Sequence, residues 1–185
     1  DSDDLSALKT GSMRVQVTEL AQKDVWQSDL ITDKNKTDTV NAGIITINGT
    51  NIDTNGKSYS DVVKEINKID GVQASLVENS AGEFRLSIKS TETGAANKIN
   101  FNTKDTSGND LGVSVGAAKL FGDGSILNDD LNVLKAQDME LTADGVNYSS
   151  SSNTVTIDGL KITATKKGGD STINIENDTT TLSAQ

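Results

Sequence analysis

The run Ile44-Ile45-Thr46-Ile47 leads straight into Asn48-Gly49, and this junction constrains the fold more than any other feature. Asn and Gly both tolerate the positive φ that a type I′ turn demands, so the chain is set to reverse there as a β-hairpin. Asn51-Ile52-Asp53 then reads as the returning arm. The same chemistry recurs: TING at Thr46–Gly49 is followed by TADG at Thr142–Gly145 and TIDG at Thr156–Gly159. The intervals are unequal and the surroundings differ, so these are repeated hairpins and not the units of a solenoid.

Composition supports a β reading. Of 185 residues, 34% are hydrophobic and only 3% aromatic, which leaves Val, Ile and Leu to build the cores. Branched side chains of this kind pack well on a pleated surface. The length suits one sizeable domain or two small ones. The absence of Cys and His removes disulfides, thiolate or imidazole metal sites, cysteine nucleophiles and Ser-His-Asp chemistry. The net charge of −10, relieved only by the pair Lys166-Lys167, opposes nucleic acid and acidic headgroups as partners. No apolar run approaches the roughly 20 residues that span a bilayer. Proline is also absent, which suits a chain that must fold without slow prolyl isomerisation. The polar opening Asp1-Ser2-Asp3-Asp4 carries no signal-peptide pattern, and the sequence is expected to be an excised fragment.

Ser12–Leu20 alternates as a half-buried strand, with Met13, Val15 and Val17 on one face. Ala21–Leu30 is expected to continue it as a bent strand, with Trp26 at a seam between domains; Thr32–Thr39 is a polar connector. Ser58 is placed to cap a helix, with Asp61 three residues on. Tyr59, Val62, Val63, Ile66 and Ile69 share a face of that helix, which packs on the neighbouring sheet, and Asp70-Gly71 ends it. Strands follow at Val72–Val77 and Phe84–Ile88 around the turn Glu78–Gly82, with Phe84, Leu86 and Ile88 inward and Arg85, Ser87 and Lys89 outward. Lys98–Phe101 and Leu111–Val115 read as short strands around the exposed loop Thr103–Asp110. Asn128 is expected to cap a short helix containing Leu131, Val133 and Leu134. From Met139 onward the pattern is β again, at Met139–Ala143, Thr154–Ile157, Lys161–Thr165 and Ser171–Glu176.

Both ends are thus β without helix, while the middle has its own helix and sheet. The expected fold is α+β and mainly β: two small β-rich domains, one inserted into the other, with short helices in the insertion. Residues 1–32 and 133–185 form the discontinuous domain, and 33–132 the inserted one.

Chemistry is sparse. The acids Asp3-Asp4, Asp123 and Asp129-Asp130 lie among Gly, Asn and Ser, and read as solvated loop carboxylates, not an acid/base pair. Asp105–Asp110 carries oxygen side chains without calcium-loop spacing, and Gly168-Gly169-Asp170 starts a calcium-roll repeat that does not continue. Asn35, Asn48, Asn147 and Asn177 head Asn-x-Ser/Thr triplets, expected by chance in so Asn- and Thr-rich a chain. No catalytic, cofactor or metal residue is assigned.

Gly43–Phe101 resembles the flagellin-hook IN motif. The resemblance is carried by Ile45-Thr46-Ile47-Asn48-Gly49, by Ser60-Asp61-Val62-Val63 through Ile66-Asn67, by Gly71-Val72-Gln73-Ala74-Ser75, by Arg85-Leu86-Ser87-Ile88 and by Ser90–Gly94. The flanks Gly11–Leu20 with Ala21-Gln22, Ala136–Gly145, and Ser151–Val155 with Ile157–Leu160 are similar to flagellar filament cap proteins, the hook-associated protein 2 family. The resemblance covers nearly the whole chain. It implies the second and third domains of a cap subunit, without the helical leg domain formed by the family's terminal regions. It further implies a structural, non-enzymatic protein at the extracellular flagellum tip. There it would cap the growing filament and promote flagellin folding and insertion. The implied partners are flagellin and copies of itself in a ring. The loops Glu78–Gly82 and Thr103–Asp110 are candidate contacts because they should protrude. Two other readings stay open. One is a surface adhesin for a host glycan or receptor, which would need an exposed aromatic platform. The other is a carboxylate-dependent hydrolase, which would need acids with well-separated pKa values.

Overall fold

The computed structural model describes residues 13–165 and the strand 173–177. Its contacts divide the chain into two units, 1–22 with 92–96 and 136–185, and 23–91 with 97–135. Among the described residues the fold is mainly β with two short helices.

In the first unit, β1 (Val15–Glu19) pairs antiparallel with β10 (Met139–Ala143), which pairs with β11 (Val146–Ser150). A second sheet runs β12 (Thr154–Ile157), β13 (Leu160–Ala164), β14 (Ile173–Asn177). The two sheets share one core of Met13, Val17, Met139, Leu141, Ile157 and Ile162 with small residues between them. Alternation puts these side chains on one face of each strand, as the pattern from Ser12 anticipates.

In the second unit, β5 (Val72–Glu78), β6 (Phe84–Ser90), β2 (Val25–Gln27) and β9 (Asn132–Leu134) form a sheet in that order. Hairpin β3 (Ile44–Ile47) and β4 (Thr50–Asp53), hairpin β7 (Asn102–Lys104) and β8 (Asp110–Val113), and helices α1 (Tyr59–Ile66) and α2 (Val115–Leu120) complete it. Their core holds Ile45, Ile47, Val62, Ile66, Leu86 and Ile88 around Trp26, Phe101 and Phe121.

All three expected hairpin turns form. Asn48 and Gly49 have φ of 49° and 87°, Asp144 and Gly145 52° and 78°, and Asp158 and Gly159 51° and 78°. Each joins strands paired on either side of two residues: Ile47 with Thr50, Ala143 with Val146, Ile157 with Leu160. Ser58 caps α1 by accepting the Asp61 N–H at 3.1 Å.

Six local expectations need correction. Ala21–Leu30 does not prolong β1, because Val25–Gln27 crosses to pair with β6 and β9 in the other unit. Helix α1 stops at Ile66, short of Asp70-Gly71, because the Asn67 side chain leaves the helix to bond Ala74. Lys98–Phe101 is not a strand; β7 begins at Asn102. Val115 opens α2 instead of ending a strand. Asn128 caps a single 3-10 turn over Asp129–Leu131, and Val133 and Leu134 lie in β9. Ser87, expected to face solvent, is buried on β6, an interior strand of its sheet, while its same-face neighbours Arg85 and Lys89 are half-buried and exposed.

Candidate functional surface

Trp26 is 3% exposed and sits inside the second unit's core, not at a seam. Its ring meets Phe101 edge-on at 5.5 Å and Phe121 at 6.1 Å, and those two stack at 5.4 Å. Tyr59 and Phe84 form a further edge-on pair. Burial is the main reason the Tyr59 hydroxyl titrates above its ordinary range, with the Asp38 charge adding to it. Every Trp and Phe, and Tyr59, is therefore spent on the core, and only Tyr148 is half-buried. An aromatic platform of the kind an adhesin would offer does not occur among the described residues.

Asp24 is the most buried charged residue of this unit, at 1% exposure. Its Oδ1 accepts from Asn132 Nδ2 at 2.9 Å and its Oδ2 from the Ile99 N–H at 2.8 Å. Its own N–H donates to Ser90 Oγ at 3.0 Å, and its carbonyl accepts the Ser90 N–H. Asp24 thereby ties four separate stretches of chain, which is a structural use of a buried carboxylate.

The residues that carry the family resemblance do similar work. Asn67, the Asn of Ile66-Asn67, donates Nδ2 to the Ala74 carbonyl at 3.1 Å and accepts the Ala74 N–H at 2.7 Å. Asn153, in the Ser151–Val155 motif, accepts the Ala21 N–H at 2.7 Å and donates to the Ala21 carbonyl at 3.4 Å. In each unit an Asn amide thus imitates the peptide group of a neighbouring strand. Gly94, at φ 111°, completes the first unit: a Cβ there would lie 2.8 Å from Ser151 Cβ. Its N–H donates to the Gln22 carbonyl, while Thr93 Oγ1 donates to the Ser151 carbonyl at 2.7 Å.

Both candidate contact loops are exposed and internally braced. In Glu78–Gly82, Asn79 Oδ1 accepts the N–H groups of Ala81 and Glu83, and Glu78 pairs with Lys36 at 2.5 Å. In the other loop, Asp105 Oδ1 accepts from Ser107 and Asn109 N–H at 2.9 and 2.8 Å. Only 105–109 of Thr103–Asp110 is loop, because β7 and β8 take its two ends.

The acids are brought to no common centre. Hydrogen bonds from Asn109 hold the Asp105 carboxyl below its ordinary range, the Asn102 amide does the same for Asp110, and the Ile126 N–H for Asp123. Asp129 reaches Lys135 at 3.2 Å. Among the described residues no three Asp or Glu side chains gather as a metal would require. Asn48 Oδ1 is engaged by the Asn100 N–H at 2.9 Å, Asn35 is exposed on its connector, and Asn147 and Asn177 lie on strands. Asp3-Asp4, Lys166-Lys167 and Gly168–Asp170 lie outside the described residues.

Several concavities of about 400 to 470 Å³ open in the second unit; one of about 460 Å³ is lined by Trp26, Lys98, Ile99, Phe101, Leu127 and Asp129 among others. Sequence reading did not find it, because its walls come from loops 98–102 and 127–132, which carry no periodic signal.

No family model matches the chain. Flagellar hook-associated protein 2 of Campylobacter jejuni is 31% identical over 212 residues, covering 94% of this chain and 32% of that protein. The chain therefore spans about a third of the curated relative's length. The crystal structure of the D2-D3 domains of the flagellar cap protein FliD from Escherichia coli is 25% identical. It superposes with a TM-score of 0.63, covering 90% of this chain and 87% of that one. A longer Escherichia coli structure, domains D1-D2-D3, gives a TM-score of 0.65 at 23% identity over 93% of this chain and 50% of that one.

Proposed function

We propose, for a chain that resembles flagellar hook-associated protein 2 along nearly its whole length and has the fold of cap-protein D2-D3 domains, a structural role in a flagellar filament cap. The observation that carries this reading is the coverage: similarity extends over 94% of the chain, beyond the IN motif that other flagellar proteins would share. The site chemistry agrees with it. The Asn amides and the buried Asp are used to hold backbone, and the loop acids are bonded to their own loops. Rigid β units with braced loops suit a protein that presents surfaces instead of transforming a substrate.

In this reading the parent protein sits outside the cell at the filament tip. It meets copies of itself through faces that close into a ring, and it meets incoming flagellin and favours its folding and insertion. The loops Glu78–Gly82 and Thr103–Asp110 are the proposed contacts. The test is a short epitope inserted at Ser80 in the full-length protein, followed by gold labelling of filaments. Label confined to filament ends is expected. Label along the filament or at its base would sink the cap reading. Light scattering of the full-length protein should give a closed multimer, and a strict monomer at high concentration would remove the ring.

A further inference from the structure

We propose that the outer edge of β11 pairs with the same edge of a second copy of this chain, joining two sheets into one across a two-fold axis. This goes beyond the cap role and does not depend on it: a ring closes through unlike faces, whereas this contact joins like to like. β11 ends its sheet, and among the described residues its strand partner is β10 alone. Ala143 and Val146 flank a two-residue turn, so they exchange both backbone bonds, and alternation gives Tyr148 and Ser150 the same inward role. The N–H and C=O groups of Asn147 and Ser149 therefore point away from β10. No hydrogen bond takes them up among the described residues, and both residues are exposed.

An open strand edge is a place where chains join, and proteins normally guard it with charge, proline or a covering group. β5, an edge of the second unit's sheet, is guarded: Asn67 clasps the Ala74 backbone, and Glu78 pairs with Lys36. β11 has no such guard. From Gly145 to Ile157 the chain carries no charged residue and no proline, while the net charge of −10 sets copies against one another elsewhere. This uncharged stretch is what selects a second copy as the occupant. Laid antiparallel about Tyr148, Asn147 faces the partner's Ser149 and Ser149 faces the partner's Asn147, so every outward backbone group finds a bond. The two Tyr148 side chains, half-buried on the core side of their sheets, come side by side, where cross-strand aromatic pairs add stability. Each copy has one β11 edge, so association through it stops at two copies. The contact is small, and a weak dimer is expected, with a Kd of about 1 mM.

The test uses this chain labelled with ¹⁵N and diluted from about 2 mM to about 0.05 mM. As concentration rises, the Asn147 and Ser149 amides should shift together and exchange more slowly with water. Val146, Tyr148 and Ser150, already bonded to β10, should keep their exchange rates. That alternation is the signature of pairing through this edge, and other surface contacts would not produce it. Double variants at the two exposed positions then fix the register. Asn147→Lys with Ser149→Lys sets like charges opposite each other on both sides of the axis. It should weaken the dimer by about tenfold, although it lowers the net negative charge. Asn147→Lys with Ser149→Glu sets opposite charges there and should tighten the dimer by about tenfold. Dilution of the unaltered chain stands by itself, whatever the variants do. The proposal fails if no amide responds to concentration, if the responding amides lie off β11 or do not alternate, or if the two double variants behave alike.

Discussion

The two units use the same local devices around different cores. Each has type I′ turns at Asn-Gly or Asp-Gly, and each has one Asn side chain clasping the backbone of an Ala. Their interiors differ. The second unit packs Trp26, Phe101 and Phe121 together and adds the Tyr59–Phe84 pair and two helices. The described core of the first is Met, Val, Ile, Leu and Ala between two three-stranded sheets. Aromatic side chains bury large areas each, so a few of them can anchor irregular loops such as 97–101 and 121–131. A core without them depends on regular pairing, which is where its strands and its Gly94 contact matter. The difference suggests that one unit is most sensitive at its buried polar centre and the other at a backbone contact.

The largest effect is expected from Asp24→Asn. The new amide would present a donor to the Ile99 N–H or to Asn132 Nδ2, both of which now donate to the carboxylate. A buried donor left unpaired in this way should cost about 3 kcal/mol. Urea unfolding followed by Trp26 emission reads the second unit, and an unchanged midpoint would show that the carboxylate is dispensable. Next comes Gly94→Ala, which combines a φ of 111° with a Cβ lying 2.8 Å from Ser151. About 2 kcal/mol of destabilisation is expected, seen as faster amide exchange in β10 to β13. Faster exchange at Trp26 in place of those strands would reverse the assignment of Gly94 to the first unit.

The clasps allow a matched comparison. Asn67→Ala and Asn153→Ala each remove two side-chain bonds to a backbone and leave an Ala N–H without that partner. Both should cost about 1–2 kcal/mol. Asn67 should cost the more, because its two bonds are 2.7 and 3.1 Å against 2.7 and 3.4 Å for Asn153. It also covers β5, the outermost strand of its sheet, so its loss should raise aggregation at high concentration. Equal midpoints and unchanged solubility for the two variants would show that the second clasp contact and the edge position do not matter.

What could be read from sequence follows the reach of the forces involved. Hairpins at Asn48-Gly49, Asp144-Gly145 and Asp158-Gly159 depend on two residues and their own φ angles, so they were legible. The Ser58 cap spans one turn of helix and was legible for the same reason. Trp26 was not, because its partners Phe101 and Phe121 lie more than 70 residues away and pattern reading does not pair them. Helix α2 is six residues long and carries Gly116 because a Cβ there would lie 2.8 Å from the Ile44 backbone. Packing against β3, not helix propensity, decides that segment. The resemblance-bearing Asn67 and Asn153 were visible as letters, but their role as backbone clasps needed coordinates.

The smallest expected effect concerns pH and is confined to two loops of the second unit. Hydrogen bonds from Asn109 hold the Asp105 carboxyl below its ordinary value, the Asn102 amide and then the Gly112 N–H act on Asp110, and the Ile126 and Ser125 N–H groups act on Asp123. A carboxyl depressed in the folded state contributes stability that is present above the unfolded pKa of about 3.9 and is lost as pH falls through the folded value. The turns at 105–109 and 123–126 should therefore loosen in acid, beginning below about pH 4, while the hairpin at Asn48-Gly49, which has no carboxylate at its turn, should not. Carbon-detected NMR titration of the three carboxyls should give midpoints below the ordinary value. Asn109→Ala should move the Asp105 midpoint part of the way upward and leave Asp123 in place, because it removes the Asn109 side-chain bond to Asp105, keeps the Asn109 backbone N–H bond that is the larger cause, and touches none of the causes acting on Asp123. A midpoint for Asp105 at or above that of a free Asp would mean that the loop hydrogen bonds do not persist in solution, and that the loop is held by its strands β7 and β8 alone.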